Sequence, residues 1–333
     1  MLTRIFCLNT ILVLATPLIV GAEESEHETF VREAISRAIP LLEKASAGSA
    51  DHRTCFTCHN QALPILALAE ARKRNFVVDE KNFTRQVQHT YDHLERGKNN
   101  YLNGKGQGGK VVTAGYALWA LHAGGQSPNE VTSAVVEFLL TYQSKSDHWS
   151  QPSKRPPTSG SDFMTSYVAL RGVSVFGNQD QHDRIAARTE AVAKWVESAA
   201  ASDTEDQVFQ LRLLHHVGAG QEAVDGKVAA LLDAQRASGG WSQKPEMAAD
   251  AYATATVLAV LLETQSVSAT ASATQQATRY LVDSQLDDGS WHVVTRADGF
   301  QEYYESGFPH DENQFISVAA SSWAALALLL TLP

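Results

Sequence analysis

The sequence has 333 residues, a formal charge of −10, and 44% hydrophobic but only 8% aromatic residues. An acidic chain with few aromatic side chains lacks the basic surface that nucleic acid or anionic lipid requires, so we expect neither as a partner.

The first 22 residues have the pattern of a secretory signal peptide. Arg4 precedes an apolar run over residues 11–20, and small residues follow at 21–22. The run is too short for a good membrane span. We therefore expect a protein that is exported to the periplasm or secreted, with a mature chain from Glu23 to Pro333 that forms one domain and contains no membrane span.

The rest of the sequence predicts an all-α structure in which two kinds of helix alternate. Six segments are amphipathic, with apolar residues at helical spacing, and six are richer in Ala, Val, Leu and Ser, as expected for helices covered on most sides. The predicted outer helices span residues 28–45, 79–96, 128–144, 181–201, 221–236 and 272–286. The predicted inner helices span residues 59–74, 112–123, 162–176, 205–217, 249–264 and 314–331.

Cys55-Phe-Thr-Cys58-His59 opens the first inner segment and matches the attachment motif of c-type haem. In that motif two thioethers hold the porphyrin and the adjacent histidine binds the iron. The motif predicts a haem c cofactor, with Cys55 and Cys58 as covalent anchors and His59 as the iron ligand. The alternative from the same residues is a Cys55–Cys58 disulfide, structural or redox-active, which exported cysteine pairs commonly form.

Three aspartates each stand at the start of an inner segment: Asp162, Asp250 and Asp311. A carboxylate in this position caps free backbone amides and meets the positive end of the helix dipole. The same three residues are the candidate acids if a cavity between the inner helices is catalytic.

A motif recurs along the chain, which indicates a repeat protein. Gln285-Leu-Asp-Asp-Gly-Ser-Trp291 follows Gln235-Arg-Ala-Ser-Gly-Gly-Trp241 at an interval of 50 residues, and Gln143 to Trp149 is a copy in which Asp147 replaces the glycine. A period of this length built from two helices is typical of arrays in which no unit buries its apolar face alone.

The Gln-x-x-x-Gly-x-Trp motif between two helices resembles the repeat of squalene and oxidosqualene cyclases and of protein prenyltransferase β subunits. The resemblance implies an α/α toroid of about six inner and six outer helices, with a cavity for an isoprenoid-like or other small apolar ligand. It indicates the fold more strongly than the reaction. In such a ring the sixth inner helix neighbours the first, which nominates His310 as the sixth iron ligand, with Met164 and His52 as further candidates.

The catalytic residues of those families are replaced in this sequence. The acidic Asp-x-Asp-Asp cluster of squalene-type cyclases does not occur. Where prenyltransferases bind zinc, Tyr252 stands at the thiolate position of Asp250-Ala-Tyr252 and Met164 at the histidine position, so we do not expect zinc.

Cys58-His-Asn-Gln61 also resembles the internal thioester motif Cys-Gly-Glu-Gln of complement and α-macroglobulin domains, from which it differs at both central positions. The sequence therefore leaves three hypotheses. The first is a haem protein with a redox partner. The second is a cyclase-like or prenyltransferase-like enzyme. The third is a non-catalytic scaffold with a disulfide or a thioester.

Overall fold

The computed structural model describes residues 26–151, 155–297 and 306–333, and the predicted signal peptide lies outside them. Twelve α-helices account for most of the described residues, and no extended strand occurs among them. The helices are α1 (Glu26–His52), α2 (Leu63–Lys73), α3 (Glu80–Leu102), α4 (Lys110–Ala123), α5 (Glu130–Thr141), α6 (Asp162–Phe176), α7 (His182–Ser198), α8 (Thr204–His216), α9 (Gln221–Asp233), α10 (Ala251–Glu263), α11 (Ser272–Ser284) and α12 (Gln314–Thr331).

The even-numbered helices form a closed inner ring. Each of them contacts the next even-numbered helix along the chain, and α12 returns to contact α2. Nearly every residue of α4, α10 and α12 is buried. Their many Ala, Ser and Thr side chains allow close approach of helices that are covered on all sides. The predicted α/α toroid, with six inner and six outer helices, is confirmed.

The odd-numbered helices lie outside the ring and bury one face each. In α3, for example, Phe83, Thr90, Leu94 and Tyr101 are buried, whereas the charged residues between them are exposed or only partly buried. This pattern follows from the amphipathic sequence of the outer segments, since only one side of an outer helix meets the inner ring.

The tryptophan of each repeat motif is buried and anchors the preceding outer helix. The indole nitrogens of Trp149, Trp241 and Trp291 donate hydrogen bonds of 2.6–2.9 Å to carbonyls ten residues earlier in the chain. The acceptors are Leu139, Leu231 and Leu281. A buried indole N–H needs such an acceptor, so the motif fixes the angle at which the chain leaves each outer helix.

The glutamine of the motif joins one repeat to the next. The Gln235 amide donates to the Ala273 carbonyl of α11, and the Gln285 amide donates to the Ala34 carbonyl of α1, at 2.9 and 2.8 Å. The second contact closes the outer layer from the last repeat to the first. In the altered copy, Gln143 itself has a positive φ of 54° and bonds Ser150 instead.

Helix α12 with its preceding turn, Asp311–Thr331, is long and apolar enough to cross a membrane by length and composition. In the structure, 83% of its apolar 18-residue stretch is buried inside the toroid. Its place in the inner ring accounts for its apolar sequence.

Candidate functional site

A cavity of about 460 Å³ lies at the N-terminal ends of α2, α4 and α12. Cys58 and His59 line it, together with apolar side chains from all three helices and polar groups from the segment 155–159. The apolar contributors include Leu63, Val112 and Phe315. The volume falls in the range of small-molecule and cofactor sites, and the lining combines an apolar body with a few polar groups.

The turn that presents Cys58 and His59 is a single π-helical turn, Cys58–Ala62, placed directly before α2. Thr57 caps it, because its Oγ1 accepts a hydrogen bond from the Asn60 amide at 3.2 Å. The buried Gln61 side chain folds back, and its Oε1 accepts bonds from the Thr57 amide and hydroxyl at 2.8 and 2.6 Å. These bonds replace part of the regular α-helical pattern, since π-turns insert one residue into it.

The two cysteines are free thiols with different surroundings. Cys55 is exposed, whereas Cys58 is only partly exposed and faces the cavity. Burial raises the pKa of Cys58 to about 12, although the nearby Arg155 opposes the change. The Cys58 thiol therefore stays protonated at neutral pH, which separates it from a catalytic thiolate of lowered pKa.

The His59 imidazole is held neutral at this cavity. Burial, together with the positive charges of Arg155 and Arg53, lowers its pKa to about 4. Its ring meets the edge of Phe315 at a centroid distance of 5.7 Å, which fixes its orientation. A neutral, oriented imidazole is the form in which histidine binds a metal ion.

The residues of the cavity suit a porphyrin with two carboxylate arms. Two guanidinium groups, Arg53 and Arg155, line the same space as Cys58 and His59. Apolar and aromatic side chains supply the surface that a macrocycle requires, and arginine is the residue best matched to a propionate. Cys58, His59 and the two arginines are therefore of the types that a c-type haem would require, whereas Cys55 is not among the described residues that line the cavity.

The three candidate acids do not converge in the structure. Asp250 caps α10, as expected, and accepts bonds from the Ala253 amide and the Gln243 side chain, both at 2.9 Å. At α6 the cap is Ser161, and the Asp162 carboxylate lies 3.5 Å from the Gln151 amide. Asp311 is exposed in a short 3₁₀ turn before α12.

The three candidate sixth ligands of the iron also lie outside the cavity lining. His310 bonds the Ser290 hydroxyl at 2.7 Å and packs beside His292, whereas Met164 is wholly buried in α6. His52 bonds the Gly48 carbonyl at 2.8 Å. None of the three is among the described residues that line the cavity. For zinc, no three His, Cys, Asp or Glu side chains of the described ranges form a metal-binding group.

Two buried charged residues were missed by the sequence reasoning. Glu205 is buried in α8, where burial raises its pKa well above the ordinary value and the Tyr252 hydroxyl donates to it at 3.1 Å. Arg212, about two turns further along the same helix, is buried among aromatic rings. The only sequence signal was a charged residue within a predicted inner helix, since such residues are seldom buried without a partner.

Comparisons with solved structures show which fold this chain shares. A type II terpene cyclase, MstE from Scytonema, matches with a TM-score of 0.57 and 16% identity, over 91% of this chain and 98% of the other. The ent-copalyl diphosphate synthase from Streptomyces platensis matches with a TM-score of 0.52 and 18% identity, over 81% of this chain and 50% of the other.

A third match is a Klebsiella pneumoniae protein described as a possible member of the GH105 family, with a TM-score of 0.53 and 13% identity over 97% of this chain and 98% of the other. No family model matches the sequence, and no curated protein matches it either. At these identities the similarity establishes the α/α toroid and leaves the reaction open.

Proposed function

We propose that this protein is an exported α/α toroid that carries one covalently bound c-type haem at the N-terminal end of its inner ring. Cys55 and Cys58 would anchor the porphyrin and His59 would bind the iron. The observation that carries the proposal is the position of Cys58 and His59 on one cavity of about 460 Å³ that also has Arg53 and Arg155 in its wall.

Each residue has a defined task in this proposal. Cys55 and Cys58 would hold the porphyrin through thioether bonds; in each addition to a vinyl group the S–H bond is replaced by a C–S bond and a C–H bond, so no atom is lost. His59, neutral above pH ~4, would present a nitrogen lone pair without first losing a proton. When bound, the haem would supply one-electron redox chemistry or the binding of a small ligand.

The exposure of Cys55 bears on how electrons would enter or leave. Because Cys55 is exposed and Cys58 lines the cavity, the bound group would span the distance between the surface and the interior. A haem edge at the protein surface would allow electron exchange with a redox partner protein.

Intact mass measurement tests the proposal against its alternatives. The chain should be exported by a host with a c-type haem maturation system, beside the double variant Cys55→Ala/Cys58→Ala. We expect the mature mass plus one haem, and no haem in the double variant. A disulfide would instead remove two hydrogens. A Cys58–Gln61 thioester, formed from thiol and carboxamide, would release one ammonia.

The role of His59 needs a separate variant. His59→Ala should retain the covalent haem but lose the absorption spectrum of an imidazole-bound iron, and added imidazole should restore that spectrum. His182→Ala, on the exposed start of α7, is the matched control and should leave the spectrum unchanged. An unaltered spectrum in His59→Ala would remove His59 from the proposal.

A second candidate function is the binding or conversion of an isoprenoid-like ligand in the same cavity. Structural neighbours favour it, since one is a type II terpene cyclase solved with geranylgeranyl dihydroxybenzoate as substrate. The described residues that line this cavity include no Asp or Glu, so a protonating carboxyl would have to come from elsewhere. Turnover of an isoprenoid by the haem-free double variant would support this candidate over the first.

A further inference from the structure

A second cavity, of about 220 Å³, lies at the opposite end of the inner ring from Cys58. Residues near the C-terminal ends of α4, α6, α8 and α10 line it. Trp119 and Tyr167 form its aromatic wall, while its charged lining comes from Arg171, Arg212 and Glu263. Its volume is below the usual range for drug-sized ligands, so it suits a small molecule.

Arg212 is the buried charged residue of this cavity lining. Only 2% of its side chain is exposed, and its guanidinium lies 4.9 Å from the ring centre of Trp323 and 5.8 Å from that of Tyr167. Its Nη1 donates to Glu263. Its Nε and Nη2 are buried and make no hydrogen bond of regular geometry among the described residues, and the Tyr167 hydroxyl is the other polar group that interacts with the guanidinium. Buried donors of a charged group are costly to leave unpaired, so their retention indicates a ligand.

The charges around Arg212 favour an anion. Arg171 lies 5.2 Å from the ring centre of Trp119, on which Arg212 also packs at 5.9 Å. Two guanidinium groups therefore share one wall, with Glu263 as the only carboxylate in the lining. Burial raises the pKa of Glu263, and the charges of Arg212 and Arg171 oppose that increase.

The ordinary role of basic residues near helix C-termini explains part of this arrangement. Arginine and histidine there offset the negative end of the helix dipole, and His215 and His216 at the end of α8 fit that role. The helix dipole does not require a guanidinium that is buried among aromatic rings and has two N–H groups without a regular hydrogen bond. Arg212 thus calls for a separate explanation.

We infer that this second cavity binds a small molecule that carries one carboxylate or phosphate group. The acidic group would accept hydrogen bonds from Nε and Nη2 of Arg212 and would lie beside Arg171. The Trp119 and Tyr167 rings would contact a compact apolar body. This inference is independent of the haem proposal, because the two cavities lie at opposite ends of the ring.

Calorimetric titration with benzoate and with inorganic phosphate tests the inference. Saturable binding of benzoate alone would identify a carboxylate with an apolar body, and binding of phosphate alone would identify a phosphate site. Arg171→Gln should weaken binding about tenfold or more, as expected for the loss of one positive charge beside the anion. Arg184→Gln, which removes an exposed arginine paired with Glu137, should leave it unchanged.

A second variant addresses the buried residue itself. Arg212→Lys keeps the charge next to Glu263 but removes the planar fork, so we expect a folded protein with at least tenfold weaker binding. Binding should persist in the haem-free Cys55→Ala/Cys58→Ala protein and should still be weakened there by Arg171→Gln, which separates this site from the first cavity. No saturable binding of either anion to the wild-type protein, or equal affinity in Arg171→Gln, would overturn the inference.

Discussion

Gly289 shows how single residues of the repeat motif determine the packing of the outer layer. Its φ is +88°, and a Cβ atom there would lie 2.5 Å from the Arg37 carbonyl oxygen of α1. The position therefore requires glycine both for its backbone conformation and for the close approach of the first helix. The third motif copy avoids the constraint by turning at Gln143, which explains why Asp147 is tolerated.

We predict that Gly289→Ala lowers the free energy of unfolding by about 1–3 kcal/mol, because a side chain is strained at this φ and collides with a backbone atom. Gly226→Ala is the matched control. Gly226 lies on the exposed face of α9 with open space around it, so alanine should add about 0.5–1 kcal/mol through helix propensity. Urea unfolding of both variants measures the difference. Equal stability in Gly289→Ala and the wild type would contradict this account.

The lowered pKa of His93 leads to a prediction of how the free energy of unfolding depends on pH. Burial lowers its pKa to about 4, and Arg96 contributes to the decrease. Between pH 6.5 and 4 the unfolded chain binds a proton that the folded chain does not, so stability is full above pH 6.5 and falls on acidification. From pH 7 to pH 5 the loss from this residue should be about 2 kcal/mol.

Unfolding at the two pH values tests this effect in His93→Phe, which retains a ring beside Phe56. The variant should lose about 2 kcal/mol less than the wild type between pH 7 and pH 5. An identical loss in both proteins would show that His93 titrates normally in the folded state.

The residues that carry the proposed chemistry differ in how well the sequence predicted them. Cys55, Cys58 and His59 are adjacent in the chain, so their motif was visible without a structure. Arg212 and Glu205 became notable only through burial, which depends on helices far apart in sequence that close around them. For the same reason the spatial relation of Asp162, Asp250 and Asp311 could not be read from their positions at helix starts.

At the scale of helices, hydrophobic periodicity predicted the type and order of all twelve. Helices α1 and α3 end at His52 and Leu102, beyond the expected ends at residues 45 and 96. The first inner helix, expected from residue 59, also differs. The π-turn Cys58–Ala62 precedes it, and the regular helix begins at Leu63. The side-chain bonds between Thr57 and Gln61 cause this difference, and periodicity carries no information about such bonds.

The glutamine contacts between repeats give a prediction for the outer layer. Gln285→Met should cost about 1–3 kcal/mol, because the Ala34 and Gly289 carbonyls lose their donor in a partly buried position. Gln88→Met is the control, since Gln88 bonds only Asp92 on the exposed face of α3. Thermal unfolding should show a lower midpoint for Gln285→Met alone. A comparable decrease in both variants would mean that the contact between repeats adds no stability.

At the scale of the whole molecule, closure of the ring brings the first and last parts of the chain together. Helix α12 contacts both α1 and α2, and Gln285 reaches α1, so the first cavity includes Phe315 beside His59. The repeat period predicted a ring, but it could not predict which side chains would fill the axis. Three side chains pack together between the two cavities: Trp119, Trp323 and Arg212.

The pyridine haemochrome spectrum of the exported protein tests the central claim most directly. Two thioether bonds at Cys55 and Cys58 predict a c-type α band that remains with the protein after denaturation and acid extraction. The band should be absent from the Cys55→Ala/Cys58→Ala variant. A wild-type protein from the same host without this band, or with haem that acid removes, would contradict the claim and leave the cavity beside His59 to another ligand.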